Sequence, residues 1–489
     1  MELCAALGTF LRDAWRALEQ DHVLPRPRYQ PHVRVGRDYF GDTIRSIGSY
    51  ERLEAAIEAT DARFTEAVPL GERDFASNYI YDALELFIAN VTRSGNWTDD
   101  VIDATCAAVK DGLALPRPCA TARVVTDIST RTPEPTLVGD LAVVPLPEPG
   151  AGSSGELLGH LRDVFGSRVG DLADELPMTP FDTSSLLVAR YETANRWGAE
   201  PERDPGSTAI DDFILAVRLL HAATAHSSFE VRGSTRDIGP GKPHVGRFIS
   251  SGWSEMGGAF AVRRAALISP KDGPGIAAFI SMLHSELGDV SREPTCLPTA
   301  IRRFQASFHK HLWSDKLIDL TIALEAALSG SARTDILLRL QSRAAGLLAT
   351  PVDTESRLFN DIKLFYKLRS AFVHGAVIRT KEITKTVDSI SRVPRMRGYE
   401  SLRSDAVIDR LRDIVRRAIL ARLCVAASDP DLWPLDSDAG VDEKIASHES
   451  REALRAAWQD KLMSFDHPRA ADPASVPRPP GTGAVVVGP

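Results

Sequence analysis

Arg369 and His374 stand five positions apart in the stretch Tyr366-Lys367-Leu368-Arg369-Ser370-Ala371-Phe372-Val373-His374-Gly375. Arginine is a fixed cation whose planar donor fork suits phosphate oxygens. Histidine gives and takes a proton near neutral pH. Together they offer a proton shuttle and a stabiliser for a charged transition state, which suffices to break a phosphodiester without a metal. By spacing alone, such a pair is as readily a salt bridge and a surface histidine. The spacing predicts a helix over 355–374, with Thr354 placed to cap it and Gly375 to end it. Residues five apart on an ideal helix differ by about 140° after one full turn and by roughly 7.5 Å in rise. The two side chains therefore do not share one regular face. Either the helix unwinds near Gly375, or the residues meet partners from a second chain. At a helix C-terminus the dipole favours protonated His374, which suits a general acid or a phosphate-binding cation.

Tyr366, Arg369, Ser370, Val373, His374 and Gly375 fit the pattern Y-x-x-R-S-x-x-V-H-G. The segment resembles the Apea-like branch of the HEPN superfamily, whose hallmark is R-x(4–6)-H near a helix end. Leu317 to Leu328 resembles that family's D-L-x-I-A-L-E-A-L helix, and Arg339 to Leu348 its R-x-x-x-R-A-A-x-L-L helix. The resemblance covers about a quarter of the chain. It implies an all-α bundle that dimerises, so that two motifs line one cleft. It implies a metal-independent endoribonuclease with Arg369 and His374 catalytic. The 2′-OH of RNA would attack phosphorus, His374 would handle a proton, and Arg369 would hold the non-bridging oxygens. The products would carry 2′,3′-cyclic phosphates, no cofactor would be needed, and DNA would not react. Many active HEPN nucleases carry Asn, Asp or His where Ser370 stands; the Apea-like branch resembles this chain in having serine. Proteins of this kind serve as toxins or in antiviral, anti-phage defence, with the N-terminal region sensing a trigger or restraining the nuclease. The alternative is a non-catalytic HEPN scaffold that binds nucleotide or a partner protein. A third reading, nucleotide transfer to a partner protein, would need ATP.

Other residues could support the pair. Glu325, in an otherwise apolar helix, could pair with Arg369 or orient His374; a structural ion pair is the plainer reading. Tyr366, three residues before Arg369 and on nearly the same side, could stack on a base, although a packed core tyrosine is plainer. Lys367, Arg379 and Lys381 could track phosphates or be solvated surface charge.

The elements that must position these residues follow from period and punctuation. Residues 1–115 read as mainly helical, over 7–18, 50–68, 78–91 and from a Thr98 N-cap to Leu113. Residues 116–290 read as an α+β region, with strands over 119–126, 137–146, 185–191, 228–231, 245–250 and 259–268 and helices over 156–165 and 209–222. Residues 297–427 form the HEPN-like helical bundle, with helices over 298–312, 314–329, 333–349, 355–374 and 399–426 around a polar segment at 379–397. Residues 428–467 hold a final helix at 442–463, and 468–489 a disordered Pro/Ala/Gly tail. The fold class is thus an α+β N-terminal region followed by an all-α bundle.

Bulk properties frame this reading. The chain has 489 residues with 43% hydrophobic and 25% charged content, an ordinary globular composition. No apolar run is long enough to cross a bilayer and no secretory signal is seen, so a cytoplasmic protein without membrane contact is expected. Its five cysteines are far apart and show no zinc-ligand spacing, which predicts buried reduced thiols. Net charge is −8, yet residues 300–425 hold 23 Lys and Arg against 13 Asp and Glu. Such asymmetry suits a polyanion-binding module, or attraction between the two parts, or solvated helix faces. Three signals carry less. His309-Lys310-His311 would point apart on a helix. Gly239 to Pro243 lacks the glycine and hydroxyl residue of a phosphate loop. His221 and His226 have no third ligand in view.

Overall fold

A computed structural model describes residues 2–20, 43–60, 75–146, 153–166, 169, 184–193, 204–236, 238, 244–247, 265–287, 296–329, 335–373, 380–393, 400–435 and 440–462. The described part is mostly helical, with an antiparallel sheet in its N-terminal half and helices alone towards the C-terminus.

Four helices build the first layer: α1 (Glu2–Gln20), α2 (Tyr50–Thr60), α3 (Phe75–Ser94) and α4 (Asp99–Leu113). Helix α1 buries Leu3, Leu7, Phe10, Leu11, Ala14 and Leu18, the stripe a 3.6-residue period requires. Helix α4 starts where Thr98 predicts, its hydroxyl accepting from the Val101 N–H. One expectation fails here. Cys4 and Cys106 form a disulfide that ties α1 to α4 across 102 residues of sequence. Packing brings together two thiols whose separation in the chain hid the pairing. Cys119 and Cys424 are buried free thiols, and Cys296 is half-buried.

The sheet runs β3-β4-β5-β1-β6-β7, every neighbouring pair antiparallel. Its strands are β1 (Arg117–Thr126), β3 (Thr136–Val138), β4 (Leu141–Pro145), β5 (Ser184–Thr193), β6 (His226–Ser234) and β7 (His244–Arg247). Strands β2 (Ile128–Thr130) and β8 (Ala266–Ile268) pair in parallel beside it. The strand expected over 137–146 is instead a hairpin, turned at Gly139 with φ +59°, a conformation glycine adopts without penalty. Side chains alternate across β1. Ala120, Ala122 and Val124 pack with Leu157, Leu161 and Phe165 of α5 (Ser153–Phe165), while Val125 packs with Ile210 and Phe213 of α6 (Pro205–His221).

Helix α6 is buried continuously from Phe213 to His221, because it lies between the sheet and the C-terminal helices. One apolar core therefore runs from the sheet face through α6 into α7 (Gly273–Leu287) and the helices beyond. These are α8 (Cys296–Ala306), α9 (Trp313–Leu328), α10 (Ile336–Leu348), α11 (Glu355–Val373), α12 (Thr380–Asp388), α13 (Glu400–Ser428), α14 (Val441–Ala446) and α15 (His448–Gln459). The long α13 packs against α8, α9, α10 and α15.

The helices at the C-terminal end follow the expected order, with three differences. The polar segment at 379–397 contains α12, whose moderate polarity disguised it. The helix expected over 442–463 breaks at Ser447, which is extended and caps α15 by accepting from the Ser450 N–H. Helix α8 ends at Ala306, so His309 lies in a turn and Lys310 beyond it, neither on a helix. The loop at 239–243 and the tail at 468–489 lie outside the described residues. No described helix is long and apolar enough to cross a membrane.

Candidate functional site

The C-terminal end of α11 lies across α9, and this crossing brings together three of the predicted residues. Arg369 Nη2 stands 3.8 Å from Glu325 Oε1. The Arg369 guanidinium also lies 5.3 Å from the centre of the Tyr366 ring, one helical turn back. All three are half-buried. Burial, and the Glu325 carboxylate beside its hydroxyl, push the Tyr366 phenol up to about 12 against the opposing charge of Arg369. Tyr366 is therefore a neutral donor at any physiological pH.

The bonding of Arg369 is unusual for this bundle. Its Nε is buried without a hydrogen-bond partner among the described residues, as is Glu325 Oε1. The ion pair at 3.8 Å is beyond hydrogen-bond range. Structural arginines nearby are saturated. Arg410 bonds Asp353 through two nitrogens at 2.7 and 2.9 Å and Asp361 through two at 3.0 and 2.8 Å. Arg417 donates to Asp353 at 2.6 Å and to the Leu348 carbonyl at 3.0 Å. Arg343 grips both oxygens of Asp442 and the Leu328 carbonyl. Packing that satisfies these side chains leaves Arg369 with donors to spare.

Those same arginines answer the question of the basic excess. Arg343, Arg410, Arg416, Arg417 and Arg422 are all buried, the first four paired with carboxylates and Arg422 with backbone carbonyls, so part of the positive charge in residues 300–425 is interior rather than on a face for polyanions.

The remaining predicted residues are not gathered at Arg369. Ser370 and Lys367 are exposed on α11, and Lys367, two positions from Arg369, points to a different side of the helix. His374, Gly375 and Arg379 lie outside the described residues, and Lys381 falls on α12 with its side chain outside them. Trp313 and Phe372, which motif reasoning passed over, form an edge-to-face pair with centroids 4.8 Å apart beside the site. Leu312 and Val373, their neighbours in sequence, are 62% and 50% exposed. The signal available in sequence was the three-residue step from Arg369 to Phe372. Of the discounted histidines, His221 is buried at the end of α6 and His226 meets the Phe308 ring edge-on at 6.0 Å. Among the described residues, no group of three His, Cys, Asp or Glu side chains is placed to hold a metal ion.

No family model, curated protein or solved structure matches the chain.

Proposed function

We propose that the chain is a metal-independent endoribonuclease whose C-terminal helices form an HEPN-like bundle with Arg369 and His374 as its catalytic pair. The observation that carries this reading is the unsaturated Arg369 guanidinium, half-buried in the last turns of α11. A cation held loosely by Glu325 and Tyr366 keeps donors for the non-bridging oxygens of a phosphodiester. The RNA 2′-oxygen attacks phosphorus as the P–O5′ bond breaks, and His374 takes the 2′-hydroxyl proton and passes a proton to the departing 5′-oxygen. One strand leaves with a 2′,3′-cyclic phosphate and the other with a 5′-hydroxyl. Arg369 stabilises the negative charge that gathers on phosphorus oxygens in between. The five-residue spacing of Arg369 and His374, which a regular helix would set on different faces, supports a homodimer in which the pair is completed across two chains. A role as a toxin or anti-phage effector, restrained by the N-terminal layer, extends the same reading.

The test is cleavage of mixed-sequence RNA in EDTA. Wild type is expected to release cyclic-phosphate ends, and Arg369→Ala and His374→Ala are each expected to lose about 100-fold or more in rate while unfolding at the wild-type urea midpoint. One observation favours the scaffold reading instead: Glu325 partly neutralises Arg369 and would oppose an incoming phosphate. Intact RNA with folded wild-type protein, together with unchanged nucleotide or partner binding in His374→Ala, would transfer the assignment to that scaffold.

A further inference from the structure

Arg218 is a buried cation with no carboxylate of its own. It sits on α6 at 4% exposure, and its Nε and Nη2 both donate to the Ala225 carbonyl, at 3.2 and 2.6 Å. Among the described residues its Nη1 makes no hydrogen bond and no ion pair reaches it. The Phe308 ring lies 3.9 Å from this guanidinium, and the same ring takes the Arg412 guanidinium of α13 at 4.3 Å. Two like charges thus flank one ring at the seam between α6 and α13. Burial and repulsion from Arg412 pull Arg218 down to about 9. Arg412 is 14% exposed and bonds the Ser307 carbonyl at 2.7 Å, the Ser307 hydroxyl at 3.3 Å and Asp409 at 3.4 Å.

A cavity of about 20 Å³ opens here, lined by Arg218, Arg412, Arg416, Asp409 and Asp413 among others. Three guanidiniums face two carboxylates. Asp413 is further shared with Arg417 at 3.0 Å and Arg410 at 3.7 Å, and those two are balanced by Asp353 and Asp361. The carboxylate whose charge reaches Arg218 is Asp211, which is 63% exposed and bonded to Arg123, a guanidinium that the buried Glu230 also meets at 2.6 Å. Arg218 itself bonds no carboxylate among the described residues, and a desolvated charge is costly unless an anion meets it. So small a space suits a single small ion better than a nucleotide.

We propose that this cavity binds a single chloride-sized monovalent anion, which neutralises Arg218 and fastens α6 to α13. The anion is structural and independent of the chemistry assigned to Arg369.

Thermal unfolding of the full chain from about 1 to about 300 mM chloride, with gluconate holding ionic strength constant, reads the linkage. Tm is expected to climb and level off, by about 2 °C in all. Crystals of the full chain soaked in bromide are expected to show an anomalous peak between Arg218 and Arg412. Arg218→Met is expected to abolish both the climb and the peak. Equal Tm in chloride and gluconate, a climb that persists in Arg218→Met, or a bromide-free cavity in soaked crystals would each overturn the proposal in favour of a bound water. Should Arg218→Met not fold, the two wild-type measurements decide the matter alone.

Discussion

Replacing Asp353 by asparagine removes one negative charge from the most densely paired part of the helical region and little else, since the two side chains have nearly the same shape. Asp353 is fully buried and accepts from Arg410 at 2.7 and 2.9 Å and from Arg417 at 2.6 Å. Both arginines are fully buried as well. In Asp353→Asn, Asp361 and Asp413 still face them, but one positive charge is left unmatched, and the new amide can point a donor at a donor. Breaking a buried pair by neutralising one partner costs about 3–5 kcal/mol, against a total stability of about 5–15 kcal/mol for a folded domain. The variant should show a urea midpoint lowered by the corresponding amount with an unchanged slope. The pH dependence gives an independent check. Burial disfavours the charged Asp353, but the hydrogen bonds and charges of Arg410 and Arg417 outweigh it and hold the carboxyl below its usual value. A depressed carboxyl contributes stability that is present above its unfolded pKa of about 3.9 and is lost as pH falls through the folded value. Wild type should therefore weaken below about pH 4 more steeply than Asp353→Asn. A loss under about 1 kcal/mol, typical of a surface ion pair, with parallel pH profiles, would refute the claim that these groups are desolvated and paired.

Other outcomes follow from the same coordinates. A Cβ on Gly206 would lie 2.6 Å from Thr121 Oγ1 and 2.9 Å from the Tyr191 ring. Gly206→Ala should thus cost about 1–3 kcal/mol in urea unfolding, whereas Gly159→Ala, in α5 with open space around it, should be neutral or slightly stabilising. Burial lowers His221 to about 4, against an unfolded value of about 6.5; its ring proton in NMR should stay at the neutral position until about pH 4, and the stability it contributes should be lost as pH falls through that window. Intact-mass measurement should find the Cys4–Cys106 bond in protein purified without reductant. Cys4→Ser should destabilise the first helical layer by about 2–4 kcal/mol, and equal stability with and without the bond would contradict that.

Local elements were legible because their causes are local. The stripe on α1, the Thr98 cap of α4 and the apolar helices α9 to α11 are each written within a few residues, where helix geometry needs no distant partner. The motif helix was found for the same reason, down to the turn that carries Tyr366 and Arg369. What tertiary structure alone decided is who meets whom. Glu325 and Arg369 stand 44 positions apart, Cys4 and Cys106 102, and no period in either segment encodes the meeting. The charge count of residues 300–425 likewise left the location of the arginines open, because a total is the same whether a guanidinium is solvated or enclosed. Packing placed Arg410 and Arg417 among carboxylates, left Arg218 without one, and gave Arg369 only a loose hold on Glu325. The reason is that a side chain's local period fixes which face of its helix it occupies, whereas its partners, solvation and charge balance depend on which other face is brought against it.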